Sequence, residues 1–379
     1  MVPNRLHQLA EAARRRGQLT DLTVSNPARC GFVYPAAMLQ ALAAPAGLLY
    51  DPQPLGLEAA RAAVRGYYRE RGGAVPARLL LTASTSEAYA HLFRLLCDAG
   101  EAALMPAPSY PLFEMLAGVE AVELQSVPMT YEHGWRLDAA ALAAAAGPRV
   151  KALLLVNPNN PAGNYLRPAA WTELQALAAE RGWALVVDEV FFDYALPPYA
   201  AQDLDLDRAP ALTFVLNGLS KIAALPQMKL AWIAVFGPEP AAEEALARLE
   251  VINDLFLSAA TPVQLAAPAF LAARHGVQPQ IRTRLQANLA ALDRTLKEVP
   301  AAARLEVEGG WSVLLRLPRV HSDEAWAETI LGRAGVLTHP GHFFGMAQES
   351  HLALSLLPEE AEFARGVDGL LGAVKKELG

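Results

Sequence analysis

The sequence predicts an α/β protein in which a large domain built on a parallel sheet is joined to a smaller α+β domain. Short apolar runs such as Ala184–Val187 and Leu212–Leu216 are typical of buried parallel strands. They alternate with helical stretches such as 169–181, and this alternation indicates βαβ units. Beyond about residue 275 the alternation stops, which predicts a second domain there.

Composition narrows the class of protein. The chain of 379 residues is 53% hydrophobic and 19% charged, which favours a folded protein with more than one core. Its net charge of −7 provides no general attraction for nucleic acid or acidic membranes. Cys30 and Cys97 form no disulfide framework or thiolate metal site. Because we also find no signal peptide and no apolar span, we expect a cytoplasmic protein without membrane, nucleic-acid or metal partners.

Hydrophobic periodicity and Gly/Pro punctuation assign the elements in chain order. We predict helices at 4–16, 58–71, 87–97, 112–117, 169–181, 241–256 and 262–298. We predict strands at 79–82, 102–105, 150–156, 184–188, 212–216, 230–236, 310–316 and 351–356. The expected division is an N-terminal arm (1–40) that joins the small domain, a large domain (41–274) and a small C-terminal domain (275–379).

Three polar signals follow predicted strands. They are the segment Asn157–Gly163, the pair Asp188-Glu189, and Lys221. Ligands of open α/β sheets bind at the carboxyl ends of strands, so an amide, a carboxylate and an amine are expected at one edge. A lysine can form a Schiff base with a carbonyl cofactor, and pyridoxal phosphate pairs this with an acid on its ring nitrogen. Taken singly, each signal also fits a tight turn, a helix cap or a solvated lysine.

The segment Thr82–Glu87 joins a predicted strand to a helix with small hydroxyl residues. A helix N-terminus attracts an anion through its free N–H groups and dipole, and Ser84 and Thr85 add hydroxyls. Taken alone, the Ser-x-x-Glu spacing is better explained as an ordinary capping box. A phosphate site and a structural cap both remain open here.

The ordered set of motifs resembles the fold-type I pyridoxal-phosphate enzymes, specifically the class I/II aminotransferases, over nearly the whole chain. The landmarks are Tyr50-Asp51-Pro52 with Gly56, 82–87, 108–111, 157–163, 188–191, Ser220-Lys221, Gln264, 309–311 and 340–345. The resemblance implies a mostly parallel, seven-stranded sheet between helices in the large domain, plus the smaller α+β domain. It also implies pyridoxal 5'-phosphate as the cofactor.

The resemblance implies a role for each matching residue. Lys221 would form the internal aldimine and carry protons, and Asp188 would keep the ring nitrogen protonated. Asn160 would donate to the phenolic oxygen, and Tyr110 would stack on the ring. Ser84 and Thr85 would hold the phosphate, whereas Tyr50 would reach the phosphate of a neighbouring subunit, which implies a homodimer with shared sites. Tyr110 could instead fill a loop pocket and Tyr50 could be only an interface residue, but the matching motifs around them favour the functional interpretations.

The chain departs from the family pattern at three positions. Phe191 stands where a tyrosine usually donates to the cofactor, and Lys229 stands where an arginine usually binds the phosphate. The last strand offers His351 in place of the arginine that usually binds the substrate carboxylate. His351 could also pack only within the small domain. The substrate would then lack an ordinary amino-acid carboxylate at that end, or Asn26 or Arg316 would bind it.

The leading hypothesis is an aminotransferase that moves an amino group between an amino acid, or another amine donor, and a 2-oxo acid. Another reaction of the same fold, such as a carbon–sulfur lyase or a decarboxylase, is the nearest alternative, because Lys221 and Asp188 serve these reactions too. A non-catalytic binding protein is less favoured, since binding alone requires no Schiff-base lysine. A dehydrogenase is disfavoured because no G-x-G-x-x-G follows the early strands.

Overall fold

The computed structural model describes residues 5–257 and 259–379. Residues 1–4 of the predicted arm and Ser258 lie outside the described residues. None of the described helices is both long enough and apolar enough to cross a membrane.

The helices follow the predicted order with small shifts at their ends. They are α1 (Arg5–Arg15), α2 (Glu58–Arg71), α3 (Thr85–Leu96), α4 (Leu112–Val119), α5 (Ala139–Ala145), α6 (Pro168–Arg181), α7 (Leu219–Ile222), α8 (Glu239–Asp254), α9 (Thr261–Leu296), α10 (Asp323–Ala334) and α11 (Glu360–Glu377). Short 3₁₀ helices lie at Pro27–Arg29, Ala36–Ala43, Pro45–Leu48, Pro226–Met228 and Gly341–Phe344.

The strands include short pairs that hydrophobic periodicity does not reveal. They are β1 (Thr20–Asp21), β2 (Arg78–Thr82), β3 (Ala102–Ala107), β4 (Glu123–Pro128), β5 (Thr130–Tyr131), β6 (Trp135–Arg136), β7 (Val150–Val156), β8 (Ala184–Asp188), β9 (Thr213–Gly218), β10 (Ala231–Phe236), β11 (Ala303–Arg304), β12 (Ser312–Arg316), β13 (Val336–Leu337), β14 (His339–Pro340) and β15 (His351–Ser355).

The large sheet has seven strands in the order β2-β10-β9-β8-β7-β3-β4. β10 pairs antiparallel with both of its neighbours, whereas the other pairings are parallel. Helices pack on both faces of this sheet and bury two apolar clusters, as expected for parallel strands that are apolar along their whole length. The predicted fold class, α/β with a mostly parallel seven-stranded sheet, is confirmed.

A smaller four-stranded antiparallel sheet, in the order β11-β12-β15-β14, forms a second core with α10 and α11. The N-terminal segment belongs to this core, because β1 pairs in parallel with β13 and α1 buries Leu6, Ala10 and Ala13 against it. The long helix α9 packs on both parts, since its first half contacts α2 and its second half contacts α11. The domain limits at residues 40 and 274 stay predictions.

The edge strand β4 and the β5–β6 hairpin were not predicted from the sequence. In β4 only Val127 is buried, because the strand lies at the edge of the sheet and is covered incompletely. The hairpin places Tyr131 against Trp135, with their ring centroids 5.2 Å apart. Its aromatic pair packs on a small cluster of the second sheet, formed by Leu305, Leu314 and Ala353.

Candidate active site

The carboxyl ends of the parallel strands open into a cavity of about 270 Å³, here called the active-site cavity. Most of the predicted cofactor residues line it, namely Ser84, Thr85, Tyr110, Asn160, Asp188, Lys221 and Lys229. They arrive from loops after β2, β3, β7, β8 and β9, and from the loop before β10. Because parallel strands end at the same edge of a sheet, the chain delivers these distant residues to one place.

Lys221 lies in the one-turn helix α7 directly after β9. The turn into α7 requires Gly218, since a Cβ there would come within 2.8 Å of the Ala231 Cβ on β10. The buried Tyr194 hydroxyl donates to the Lys221 carbonyl at 2.6 Å, and the Gln278 side chain donates to the Ile222 carbonyl at 2.9 Å. The backbone that carries the amine is therefore held from three sides.

The amine of Lys221 lies beside a pair of aromatic rings. Its Nζ is 5.0 Å from the Trp311 ring centroid and 5.5 Å from that of Phe191, and the two rings meet edge to face at 5.3 Å. Burial lowers the pKa of Lys221 to about 8, against the opposing charge of Asp188. A substantial fraction of the amine is therefore neutral near physiological pH.

Asp188 ends β8 and is almost fully buried. Its Oδ2 accepts from the Tyr89 hydroxyl at 3.2 Å, and its Oδ1 accepts from the Val190 N–H at 3.0 Å. Burial raises the pKa of this carboxyl to about 6, although both hydrogen bonds and the Lys221 charge favour its ionised form. A cationic partner inside the cavity would relieve the cost of this buried anion.

The Asn-rich loop after β7 uses its three asparagines differently. Asn157 accepts from the Leu166 N–H at 2.9 Å, and Asn159 donates to the Pro108 carbonyl and accepts from the Ala162 N–H. Asn160 is the one of the three that lines the active-site cavity. At the end of this loop Gly163 has a φ of +76°, and a Cβ there would meet Val307 at 2.5 Å. The loop is a rigid support that aims one amide into the cavity.

The start of α3 confirms the capping box. The Ser84 hydroxyl accepts from the Glu87 N–H at 3.1 Å, and the Glu87 carboxylate accepts from the Ala83 N–H at 2.6 Å. The same helix end lines the active-site cavity together with Ser220 and Lys229. Capping and anion binding are therefore compatible here, because the cap leaves the N–H groups of Thr85 and Ser86 in the first turn outside the helical ladder.

Tyr110 lies at the rim of the cavity with 41% of its surface exposed. Its ring meets Phe113 edge to face at 5.7 Å. Burial, and then the nearby charge of Asp188, raise the pKa of its hydroxyl. The tyrosine therefore stays neutral and offers a ring face to any planar group in the cavity.

Three predicted residues lie elsewhere. Asn26 caps the 3₁₀ helix at 27–29, where its side chain accepts from the Ala28 N–H at 3.1 Å. Tyr50 is 79% exposed on the outer surface. His351 is buried at a separate cavity, and its Nδ1 lies 3.1 and 3.0 Å from the carbonyls of Gln348 and Glu349. The assignment of Asn26 and His351 to the substrate site stays a prediction. Local backbone groups bind both side chains, and neither residue lines the active-site cavity.

Several residues that line the active-site cavity were not predicted from the sequence as site residues. They are Ser25, Tyr89, Trp311, Ser312 and Ser355. Tyr89 follows Thr85 by four positions, so both lie on the same face of α3, which was a usable signal. Ser312 and Ser355 are partners across β12 and β15, and only the strand register brings them together.

Comparisons with known proteins agree with this geometry. The profile of the family "Aminotransferase class I and II" matches residues 27–370. The chain is 27% identical to alanine aminotransferase from Mycobacterium tuberculosis (strain ATCC 25618 / H37Rv), over 96% of this chain and 88% of that protein. It is also 27% identical to an arginine–pyruvate transaminase from Pseudomonas aeruginosa, over 93% of this chain and 89% of that protein.

Solved structures share the fold. Alanine aminotransferase from Pyrococcus furiosus superposes with a TM-score of 0.89 at 23% identity, covering 97% of this chain and 95% of that one. Aspartate aminotransferase from Thermus thermophilus, in a single-mutant form, gives a TM-score of 0.85 at 22% identity, covering 98% and 97%. Since the family profile spans most of the chain, the predicted family is confirmed: this protein belongs to the class I and II aminotransferases.

Proposed function

We propose that this enzyme transfers an amino group between an amino acid and a 2-oxo acid, using pyridoxal 5'-phosphate attached to Lys221. The observation that carries the proposal is that the half-buried Lys221 shares one cavity with the buried carboxyl of Asp188. The pKa of the amine is lowered to about 8 and that of the carboxyl is raised to about 6. Perturbed acid and base groups in one cavity are typical of catalytic sites.

The residues present fit this cofactor. The anion-binding end of α3, with Ser220 and Lys229 beside it, suits the phosphate, and Asp188 suits a protonated ring nitrogen. Asn160 is free to donate to the ring, and Tyr110 can cover one face. When bound, pyridoxal phosphate condenses with amines and withdraws electrons from the substrate carbon.

Lys221 is suited to move a proton. Between pH 7 and 9 its amine exists in both protonation states, because its pKa is about 8. A group whose pKa lies near the working pH can both accept and donate a proton. The rings of Trp311 and Phe191 lie beside the amine and limit its contact with water, which favours its neutral form.

We further propose a homodimer in which Tyr50 completes the partner's cavity. Leu48, Leu49 and Tyr50 are highly exposed, and so are Leu255 and Leu257. Tyr50 and Leu257 line one shared hollow. Clustered exposed apolar side chains mark an interaction surface. Light scattering of Leu48→Glu/Leu49→Glu against wild type tests this, and a wild-type monomer with full activity would exclude shared sites. A cytoplasmic location stays a prediction.

The decisive experiment follows the absorbance of the cofactor-loaded protein while single amino acids are added. Transamination converts the cofactor to its aminated form and releases the matching 2-oxo acid, and adding a 2-oxo acid reverses the spectrum. A lyase would release ammonia and pyruvate while the original spectrum returns, and a decarboxylase would release carbon dioxide. A panel of amino acids and amines that changes nothing would favour a binding protein and contradict the proposal.

A further inference from the structure

A second cavity, here called the distal cavity, lies between the two sheets and has a volume of about 320 Å³. One side comes from the large domain, at Pro108, Met129 and Trp135. The other side comes from the small sheet and the loop before β15, at Arg316 and Met346. Its volume exceeds that of the active-site cavity, so a small organic molecule can enter it.

The distal cavity is separate from the active-site cavity. β12 and β15 pair Ser312 with Ser355 at the active-site cavity and Arg316 with His351 at the distal one. Four residues along a strand span about 13 Å. The buried Leu314–Ala353 pair lies between the two cavities. A ligand of the distal cavity is therefore not the group that reacts at Lys221.

The cation of the distal cavity is Arg316. Within residues 5–257 and 259–379 its guanidinium has no ion pair with an acidic side chain. Its cross-strand neighbour His351 stays neutral, because burial and then the charge of Arg316 lower the pKa of that imidazole below its usual value. Glu132 is the acid that lines the same cavity, and it is exposed and bound to no described cation. The planar guanidinium of Arg316 is therefore available to bind a carboxylate through two parallel N–H donors.

The remaining lining favours a ligand that is partly apolar. Met129, Leu305 and Met346 provide an apolar wall. The rings of Tyr131 and Trp135, which meet edge to face at 5.2 Å, extend this apolar lining. A carboxylate on an apolar body would match both Arg316 and this lining.

We infer that the distal cavity is a binding site for a small carboxylate with an apolar body, whose oxygens contact Arg316. This inference does not depend on the reaction at Lys221. Because the ligand touches both the large and the small sheet, its binding links the two parts of the enzyme and stabilises the folded state.

Isothermal titration of the full chain tests the inference with phenylacetate and with phenylacetamide, its neutral isostere. The titrations use the cofactor-loaded protein and, separately, Lys221→Ala, in which covalent cofactor chemistry is absent. We expect one site with about tenfold or greater preference for the carboxylate in both proteins, since a charged hydrogen bond is lost with the amide. Arg316→Gln should abolish the preference, whereas Glu132→Gln should tighten phenylacetate binding because a competing anion is removed.

Arg248→Gln, at an exposed site on α8, is the matched control and should leave binding unchanged. Equal affinity for acid and amide, or a preference that survives Arg316→Gln, would overturn the inference. Loss of binding on cofactor loading would also overturn it, because the probe would then occupy the active-site cavity. If the protein binds phenylacetate as expected but catalyses no transamination, only the proposed function is contradicted.

Discussion

The large-domain wall of the active-site cavity carries its polar groups at strand ends, whereas the small-domain wall carries them on the face of a sheet. Asp188, Asn160 and Lys221 follow β8, β7 and β9 directly. Ser312 and Ser355 lie on β12 and β15 and face the cavity through their cross-strand pairing. The first wall holds Asp188 and Lys221, whose pKa values are shifted, and the second wall offers serine hydroxyls and Trp311. This difference suggests that chemistry belongs to the first wall and substrate fit to the second.

Replacing Lys221 tests the first wall most severely. Lys221→Ala should end covalent cofactor attachment and slow the half-reaction by about 10²–10⁴-fold or more, because both the anchoring amine and the proton carrier are lost. Stopped-flow absorbance with an active amino donor measures the rate, and borohydride trapping followed by mass spectrometry measures attachment. Lys151→Ala, at a surface ion pair with Glu101, is the control. Attachment that persists in Lys221→Ala would disprove the assignment.

Asp188→Asn should slow the half-reaction by about 10²–10³-fold and yet stabilise the cofactor-free protein. The folded pKa is raised from 3.8 to about 6, so the unfolded chain ionises first. Stability therefore falls as pH rises from about 4 to 6 and stays lower above that range. A neutral amide should restore about 2–3 kcal/mol at pH 8 and much less at pH 4. Urea unfolding at both pH values checks this, and an equal gain at both would contradict the electrostatic cause.

Trp311 on the small-domain wall contacts the amine of Lys221 on the large-domain wall, so replacing Trp311 tests how the second wall affects the pKa of that amine. In cofactor-free protein, the acylation rate of Lys221 should rise with pH around a midpoint of about 8. Trp311→Ala should admit water and raise the midpoint by about one unit, whereas Trp311→Phe keeps a ring and should change it little. Peptide mass spectrometry after brief acylation gives the midpoint. A lower midpoint in Trp311→Ala would mean that the ring mainly stabilises the cation.

Among these substitutions, Phe191→Tyr should have the smallest effect, which is a slower loss of the cofactor. A restored hydroxyl can add one neutral hydrogen bond to the cofactor, which is worth about 0.5–1.5 kcal/mol. Cofactor loss during dialysis should therefore be about two- to tenfold slower than in wild type. Because Phe191 is already buried against Trp311, an unfolding free energy that stays within about 1 kcal/mol of wild type is the control that its packing is intact.

The sequence predicted the first wall well and the second poorly, for a physical reason. A polar residue directly after an apolar run reaches the sheet edge whatever the register, so Asp188 and Lys221 could be placed from order alone. A residue within a strand faces one side or the other according to its partner, so the cavity that His351 lines could not be predicted from the sequence. Asn157 and Asn159 accept hydrogen bonds from backbone N–H groups of their own loop, which leaves Asn160 as the one of the three that can bind a ligand. These backbone contacts cannot be deduced from the composition of the segment.

The pairing of β1 with β13 has a consequence for synthesis in the cell. Val336 is translated more than 300 residues after its partner Thr20, which takes about 15–60 s at 5–20 residues per second. During that interval α1, with Leu6 and Ala10 on its apolar stripe, lacks α10, the helix on which it packs in the folded enzyme. A slow-translating messenger should therefore increase misfolding of this enzyme more than that of a protein whose strands pair locally.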